Sequence, residues 1–391
     1  MAQVYTWNFF TDRRKIPLRE KTAPPISTNG LRIYICFLGK FVVIHSRLLE
    51  QDLPEVIMSR ATPFKVALIA RGRDNTPAWV VERLSAVPGL EVVYGYCDTE
   101  DNLLANAGDA DMIWTMGRTP VLTPAVLPKL TRCKAILRSG SGMDGYPVEE
   151  ASRLGIHMCN CPESISEAVA EHAVALLFAL IRQIPFKDGA MRGLAGSVRG
   201  GGFRWHISGR TLGLVGFGRI GRRVTEMMAG FRMRVLVFDP YANEDAIRQA
   251  GAEPATLDEL LAQSDYVSLH CPLTETTRHL LNAEKLALMK PAALLVNTSR
   301  GGVVDETALV AALRQGRLGG AGLDVTDPEP PAPGSPLFSL DNVILTPHCA
   351  AASADFERNF WECSIQVVLE CMRGDFLSHC MNRQQLVNPR T

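Results

Sequence analysis

Short apolar runs alternate with segments of helical periodicity along most of the chain, from Lys65 onward. This alternation predicts a mostly parallel sheet with helices on both faces. In the first half we expect strands at 66–70, 91–94, 111–116, 135–139 and 156–160, and helices at 78–86 and 148–154. The pattern therefore predicts one α/β unit before residue 162.

The same alternation resumes after a long, almost wholly apolar helix predicted at 164–182 and a glycine-rich loop at 193–202. The helix is too apolar for a solvated surface, so we expect it in the core or at an interface between domains or subunits. Asp305 is the expected N-cap of one later helix. The second unit is predicted to have strands at 212–216, 234–238, 266–270, 292–297, 321–325 and 343–346, and helices at 219–231, 257–263, 283–289 and 306–315.

A glycine motif opens this second unit, in the stretch T-L-G-L-V-G-F-G-R-I-G. Gly216 suits the tight turn, Gly218 the approach of a pyrophosphate, and Gly221 close packing of the next helix. Asp239 ends the following strand, where a carboxylate accepts hydrogen bonds from a ribose. No Arg or Lys follows at 240–243 to hold a 2′-phosphate, so the motif predicts NAD rather than NADP.

Three polar side chains follow predicted strands of this unit: Arg300, Glu329 and His348. Ligands of open α/β sheets bind at the carboxyl ends of strands, so these residues are candidates for chemistry. In a hydride transfer, Arg300 would hold a carboxylate, His348 would donate or accept the proton, and Glu329 would stabilise the imidazolium. Taken singly, each also suits a structural role: a turn cap, a solvated loop acid or a core histidine.

Charge balance and cysteine spacing argue against several kinds of partner. Forty-one Lys and Arg balance 41 Asp and Glu, so no net field attracts nucleic acid or an anionic membrane. The cysteines have no spacing typical of zinc sites, and Cys159 and Cys161 form only C-x-C, so we expect free thiols, no metal and a cytoplasmic location. The apolar stretch at 32–45 is too short to span a bilayer. Residues 1–57 are interpreted as a poorly patterned, poorly ordered N-terminal extension or as an artefact of the assigned start.

Taken together, the motifs resemble those of the D-isomer-specific 2-hydroxyacid dehydrogenases over about residues 64–389. The family includes phosphoglycerate, glycerate, D-lactate and formate dehydrogenases and the C-terminal-binding corepressors. Besides the glycine motif, the similarity rests on R-S-G-S-G-M-D at 138–144, N-C-P-E-S at 160–164, V-A-E-H at 169–172, L-H-C-P-L-T at 269–274, N-T-S-R-G-G at 297–302, L-D-V-T-D-P-E-P at 323–330 and T-P-H at 346–348.

The resemblance implies an α/β fold of two doubly wound domains, with an NAD-binding Rossmann domain at 163–349 inserted into a flavodoxin-like substrate domain at 64–162 and 350–391. It implies that Arg300, Glu329 and His348 are catalytic and that Gly140, Ser141, Gly142 and Arg300 receive the substrate carboxylate. It also implies a homodimer. The NAD contacts that we assign are Gly216, Gly218, Arg219, Ile220, Gly221, Asp239, His270, Pro272, Thr277, Thr298 and Asp324.

The leading hypothesis is an NAD-dependent oxidoreductase for a small D-2-hydroxy or 2-oxo acid of the hydroxypyruvate, glyoxylate or 3-phosphoglycerate type. A phosphate would need a further cation, for which Arg138 is a candidate. The alternative is a corepressor-like protein that senses NAD with little turnover. Three residues depart from frequent family choices: Ser141 replaces alanine, Gly145 replaces asparagine and Glu163 replaces glycine.

Overall fold

A computed structural model describes residues 62–117, 119–193 and 206–391. The predicted extension at 1–57 lies outside the described residues, as does the glycine-rich loop at 193–202 apart from Gly193. The described chain forms two sheets, one of six strands and one of seven. The α/β class expected from the alternating pattern is therefore confirmed.

The first sheet has the strand order β2-β3-β1-β4-β5-β6. All its pairs are parallel except β2 with β3 at the edge. Without the short β2, the order is that of flavodoxin-like sheets, as expected. Its strands are β1 (Phe64–Leu68), β2 (Ala70–Arg71), β3 (Leu90–Tyr96), β4 (Met112–Thr115), β5 (Ala135–Arg138) and β6 (His157–Asn160), and its helices are α1 (Ala78–Ser85), α2 (Glu100–Ala107) and α3 (Val148–Arg153).

Two helices follow, α4 (Glu163–Arg182) and α5 (Ile184–Met191). The second sheet is wholly parallel in the order β13-β12-β11-β10-β7-β8-β9, so the direction of winding reverses between β7 and β10. Its strands are β7 (Thr211–Val215), β8 (Arg234–Phe238), β9 (Glu253–Pro254), β10 (Tyr266–Leu269), β11 (Leu294–Asn297), β12 (Gly320–Leu323) and β13 (Val343–Leu345). Its helices are α6 (Arg219–Met228), α7 (Glu244–Gln249), α8 (Leu257–Gln263), α9 (Ala283–Leu288) and α10 (Glu306–Arg314), and α11 (Phe356–Met372) comes last.

The helices α2, α5 and α7 were not predicted, because each is short and presents little periodic apolar surface. In α7 only Ile247 is buried, and the side chain of Asn243 caps the helix by accepting from the N–H groups of Asp245 and Ala246. Capping by Asn243 therefore contributes more to the stability of α7 than burial of an apolar face does. Asp305 caps α10 as predicted, accepting a bond from the Ala308 N–H at 3.0 Å.

The apolar helix α4 packs against the second sheet. A Cβ on Gly322 of β12 would lie 3.2 Å from Leu176 and 3.3 Å from Leu180, so small residues on the strand let the helix approach closely. Among the described residues, α4 is the one helix long and apolar enough to cross a membrane, and its packing on β11 and β12 gives it a core position instead.

The last helix, α11, lies on the first sheet rather than the second. Trp361 packs edge-on against Trp114 of β4 with ring centroids 5.5 Å apart. The hydroxyl oxygens of Ser364 and Ser139 lie 2.7 Å apart, and Ser139 accepts a bond from the Trp114 indole at 2.8 Å. The C-terminal segment thus completes the first core, and the boundaries at 162 and 350 remain a prediction.

Candidate active site

The glycine motif joins β7 to α6 at the reversal of strand order. Gly216 has φ +100°, and a Cβ there would lie 2.8 Å from the backbone of His270 and Cys271. A Cβ on Gly221 would lie 2.3 Å from the Gly216 carbonyl oxygen. No atom lies within 4 Å of a Cβ built on Gly218. Two glycines therefore shape the loop, and the third leaves open space at the N-terminus of α6, where a pyrophosphate fits.

Asp239, directly after β8, is bound to this loop. Its Oδ2 accepts from the Phe217 N–H at 2.7 Å, and its Oδ1 accepts from the Tyr241 N–H at 2.9 Å. Each carboxylate oxygen retains a further lone pair for a ribose hydroxyl. These bonds hold Asp239, the predicted partner of the ribose, at the end of β8 beside the glycine loop.

His270 and Thr298 carry buried polar atoms without a hydrogen-bond partner among the described residues. These atoms are both ring nitrogens of His270 and Oγ1 of Thr298. Burial lowers the pKa of His270 to about 4, so the ring is neutral near pH 7. Both residues line the cleft between the glycine loop and the first sheet, and such orphaned atoms fit a site that a polar cofactor completes.

Arg300 follows β11 in a loop that Asn297 shapes. The Asn297 amide donates to the Arg300 carbonyl at 2.9 Å, and its oxygen accepts from the Ser299 N–H at 3.0 Å. The guanidinium donates through Nε and Nη2 to Oδ2 of Asp144, at 2.9 and 2.7 Å. Burial raises the pKa of Asp144, but the hydrogen bonds and charge of Arg300 outweigh it and lower the pKa overall.

The same guanidinium lies against the loop after β5. A Cβ on Gly142 would be 2.0 Å from Nη2 of Arg300, so a side chain there would displace the arginine. Gly140 has φ +93°, which turns this loop into the cleft. The contact joins the predicted substrate loop of the first sheet to the predicted catalytic arginine of the second. Asp144, which the sequence reasoning left without a role, is the residue that links them.

His348 follows β13 and is positioned by both its backbone and its ring. Its N–H donates to the Asp324 carbonyl at 2.8 Å, and its φ is +50°. Its Nδ1 lies 2.5 Å from Oε1 of Glu329. Nε2 is consequently the ring nitrogen that remains for a partner in the cleft.

Asp324, 2 % exposed, organises the loop that carries His348. Its carboxylate accepts from the Thr346 hydroxyl at 2.6 Å and from the N–H groups of Cys349 and Ala350, both at 2.9 Å. These bonds explain why β12 ends at Leu323, although the sequence predicted a strand to residue 325. His172 of α4, whose role was not assigned, lies 3.0 Å from the Thr346 hydroxyl.

One cleft of about 1190 Å³ brings most of the predicted residues together. It does not include Glu329, which lines an adjoining pocket of about 370 Å³ together with His348. Thr277 also lies away from the cleft, and its hydroxyl donates to the Pro272 carbonyl at 2.6 Å. The predicted site residues that line the cleft are Gly140, Ser141, Gly142, Gly218, Arg219, Ile220, His270, Pro272, Thr298, Arg300, Asp324 and His348.

Known proteins are similar to this chain in sequence and in fold. The family model for the NAD binding domain of D-isomer specific 2-hydroxyacid dehydrogenases matches residues 174–350. A glyoxylate reductase of Pyrococcus furiosus is 35% identical, covering 85% of this chain and 96% of the relative. A D-3-phosphoglycerate dehydrogenase of Methanocaldococcus jannaschii is 36% identical over 77% of this chain, which spans only 57% of that relative.

Two solved structures with a fold similar to this one are likewise a dehydrogenase and a reductase. A D-lactate dehydrogenase of Aquifex aeolicus, complexed with NAD and lactic acid, has a TM-score of 0.66 at 30% identity, covering 79% of this chain and 96% of the other. A glyoxylate reductase of Paecilomyes thermophila has a TM-score of 0.73 at 25% identity, covering 83% of this chain and all of the other. These relatives are enzymes, so the corepressor-like alternative is not favoured. The chain belongs to the D-isomer-specific 2-hydroxyacid dehydrogenase family and is an NAD-dependent oxidoreductase.

Proposed function

We propose that the protein reduces a small 2-oxo acid of the glyoxylate or hydroxypyruvate type, and oxidises the matching D-2-hydroxy acid in reverse. The observation that carries this proposal is the 2.5 Å contact of Glu329, in the adjoining pocket, with His348, which lines the same cleft as Arg300. A positioned proton donor and a fixed guanidinium facing one cleft are what reduction of a 2-oxo acid needs. The named activities of the reductases similar to this chain agree with it.

Each proposed role follows from the hydrogen bonds around the residue. Arg300 uses three of its five N–H groups on Asp144 and Ser299, which leaves two for the carboxylate and carbonyl oxygen of the substrate. The peptide groups of Gly140 to Gly142 face the same carboxylate. Before the transfer, Glu329 stabilises the protonated imidazolium of His348 through Nδ1, and His348 then donates the proton on Nε2 to the oxygen of the carbonyl.

The cofactor supplies or accepts the hydride when bound. In our proposal the glycine motif and Asp239 hold its pyrophosphate and adenosine ribose, and the polar atoms of His270 and Thr298 face its nicotinamide half. Thr277 contributes through the turn after Pro272, since its hydroxyl supports that loop. Asp324 positions the His348 loop next to this half.

Arg138 favours a second candidate substrate, one with a phosphate. It ends β5, lines the cleft, and its buried Nε has no partner among the described residues. Burial, together with the nearby positive charge of Arg300, lowers the pKa of Arg138, so an anion would stabilise its charged form. A 3-phosphohydroxypyruvate-type substrate would supply that anion.

The test is oxidation of NADH by purified protein with glyoxylate, hydroxypyruvate and 3-phosphohydroxypyruvate. We expect turnover with at least one of them and its loss in His348→Asn. Arg138→Gln should lower kcat/KM selectively for the phosphorylated acid if the second candidate is right. Turnover with none of the acids, alongside dimerisation that depends on NAD, would contradict the proposal and favour the corepressor-like alternative.

We further propose a cytoplasmic homodimer without nucleic acid or membrane partners. Ile184 and Met191 at the ends of α5 are 56% and 87% exposed, and exposed apolar side chains of this kind suit a subunit contact. The nine described cysteines are free thiols, in keeping with a reducing compartment. Sedimentation velocity of wild type against Ile184→Lys/Met191→Lys tests the dimer, since a monomeric wild type would contradict it.

A further inference from the structure

Metal-ligating side chains also cluster at the edge of the cleft, outside the proposed catalytic group. Glu163 begins α4, Cys363 lies in α11, and His379 follows α11. Glu163 Oε2 lies 4.0 Å from Cys363 Sγ and 3.9 Å from His379 Nε2, and all three ligand atoms lie within 4.8 Å of one another. We propose that these three side chains bind one zinc ion, whose fourth position opens to the cleft.

The ligand set and its spacing suit zinc. One thiolate, one imidazole and one carboxylate favour Zn²⁺ over Mg²⁺ or Ca²⁺, which prefer oxygen ligands alone. Zinc bonds of about 2.0 to 2.3 Å place tetrahedral ligand atoms roughly 3.3 to 3.8 Å apart. The distances of 4.0 and 3.9 Å from Oε2 of Glu163 exceed this spacing by less than about 1 Å, so small side-chain rotations would bring its partners within range. Glu163 and His379 line the cleft, so an ion can reach them.

His379 is already oriented as a ligand. Its Nδ1 lies 2.8 Å from Oε2 of Glu370, whose other oxygen accepts from the Gln366 amide at 2.7 Å. This leaves Nε2 directed at Glu163 and Cys363. Metal-binding histidines almost always donate their second nitrogen to such a carboxylate or carbonyl. The backbone of this segment is fixed as well, because Asn160 N–H donates to the His379 carbonyl at 3.3 Å.

Glu163 is oriented by a separate partner. Its Oε1 forms an ion pair with Arg219 of α6, while Oε2 faces the cluster. One oxygen thus satisfies the arginine, and the other is available to the ion.

Cys363 supplies the sulfur ligand of the cluster. It is half-buried in α11, and its Sγ lies 4.0 Å from Oε2 of Glu163. The thiolate is the form of cysteine that binds metal, so binding of zinc would release the proton of Cys363.

A second cluster in the described residues, His172, Asp324 and Cys349, is less suited to an ion. The carboxylate of Asp324 already accepts three hydrogen bonds that hold the His348 loop. The sequence predicted no metal because it offers only the C-x-C spacing of Cys159 and Cys161. Ligands from three distant segments leave no such local spacing.

The test uses the reduced full-length protein after removal of metals with a chelator. Zinc is measured by equilibrium dialysis, and Co²⁺ is added as a spectroscopic probe. We expect one tightly bound zinc per chain, and a cobalt spectrum with a sulfur-to-metal charge-transfer band and the intense visible bands of four-coordinate geometry. No tight zinc binding, or a cobalt spectrum without the sulfur band, would overturn the proposal.

Variants assign the ligands independently of turnover. Cys363→Ser should abolish the charge-transfer band. Glu370→Gln, which weakens the hydrogen bond that orients His379, should weaken zinc binding about 10- to 100-fold. Cys97→Ser removes a thiol on the other side of the first sheet and should bind zinc as wild type does. Melting temperature and NADH affinity check that each variant is folded. Wild-type zinc binding in a folded Cys363→Ser protein would overturn the assignment.

Discussion

The two ends of the cleft are constructed in different ways. The glycine loop is made by one strand, one turn and one helix, and its shape is set by contacts between backbone atoms of Gly216, Gly221 and His270. The opposite end is assembled from side chains 156 residues apart, as in the bond between Arg300 and Asp144. The local construction tolerates changes in side chains but not in backbone contacts, whereas the assembled one depends on single charged groups.

Replacing the cation at the assembled end should have the largest effect. Arg300→Ala removes the proposed carboxylate anchor and leaves Asp144 without its partner, so kcat/KM should fall about 100- to 1,000-fold, roughly 3 to 4 kcal/mol. NADH affinity should change little, because the glycine loop is intact. Arg358→Ala, which removes an exposed arginine of α11, is the control. The measurement is steady-state kinetics, and an unchanged kcat/KM in Arg300→Ala would exclude a role of Arg300 in substrate binding.

The next largest effect is expected at the proton donor. Glu329→Gln keeps the shape of the side chain but removes its charge from Nδ1 of His348, so kcat for ketone reduction should fall about 10- to 100-fold. The solvent isotope effect on kcat should increase as proton transfer becomes limiting, which a purely structural role would not produce. Glu284→Gln, at an exposed position of α9, provides the comparison. An unchanged isotope effect would separate Glu329 from proton transfer.

At the local end, two alanine variants should differ from each other. Gly221→Ala forces a Cβ to within 2.3 Å of the Gly216 carbonyl, so the free energy of unfolding should drop by about 1 to 3 kcal/mol. Gly218→Ala meets no protein atom and should remain as stable as wild type, while its Cβ intrudes where the pyrophosphate approaches. Thermal melts and NADH titrations measure both effects. Equal stability of the two variants would contradict the steric account of the loop.

The smallest effect concerns pH. Since burial lowers the pKa of His270 from 6.5 to about 4, the unfolded chain binds a proton there that the folded chain does not. This contribution destabilises the nucleotide-free protein increasingly as pH falls from 6.5 towards 4, and it is absent above 6.5. Replacing His270 by Leu should flatten the dependence of Tm on pH over that range. Parallel curves for variant and wild type would show that the ring is not held neutral.

The difference between the locally built glycine loop and the assembled end also explains which parts of the site could be predicted from the sequence. The glycine loop and Asp239 were predictable because every part lies within one strand-helix-strand unit and short-range sterics dictate it. The element bounds were close, apart from strand ends such as β12, where the bonds of Asp324 bend the chain. Short helices such as α7 were missed because caps, not apolar periodicity, stabilise them.

The assembled end was only partly predictable. Arg300 and His348 could be proposed because both follow strands whose carboxyl ends share one edge of a sheet. The partner of Arg300 could not, because nothing in the residues around Asp144 indicates which distant loop will meet them. The cluster of Glu163, Cys363 and His379 escaped for the same reason, since its members come together only when α11 returns to the first sheet.

The packing of α11 on the first sheet also affects the order in which the two sheets can fold during translation. The strands and helices from Thr211 to Leu345 follow one another without interruption, so this half has all its pieces as soon as Leu345 has emerged. The core of the first sheet is complete only when Trp361 packs on Trp114, although the last strand of that sheet is synthesised about two hundred residues earlier. We therefore expect the first sheet to complete its core later than the second, although its strands are synthesised earlier.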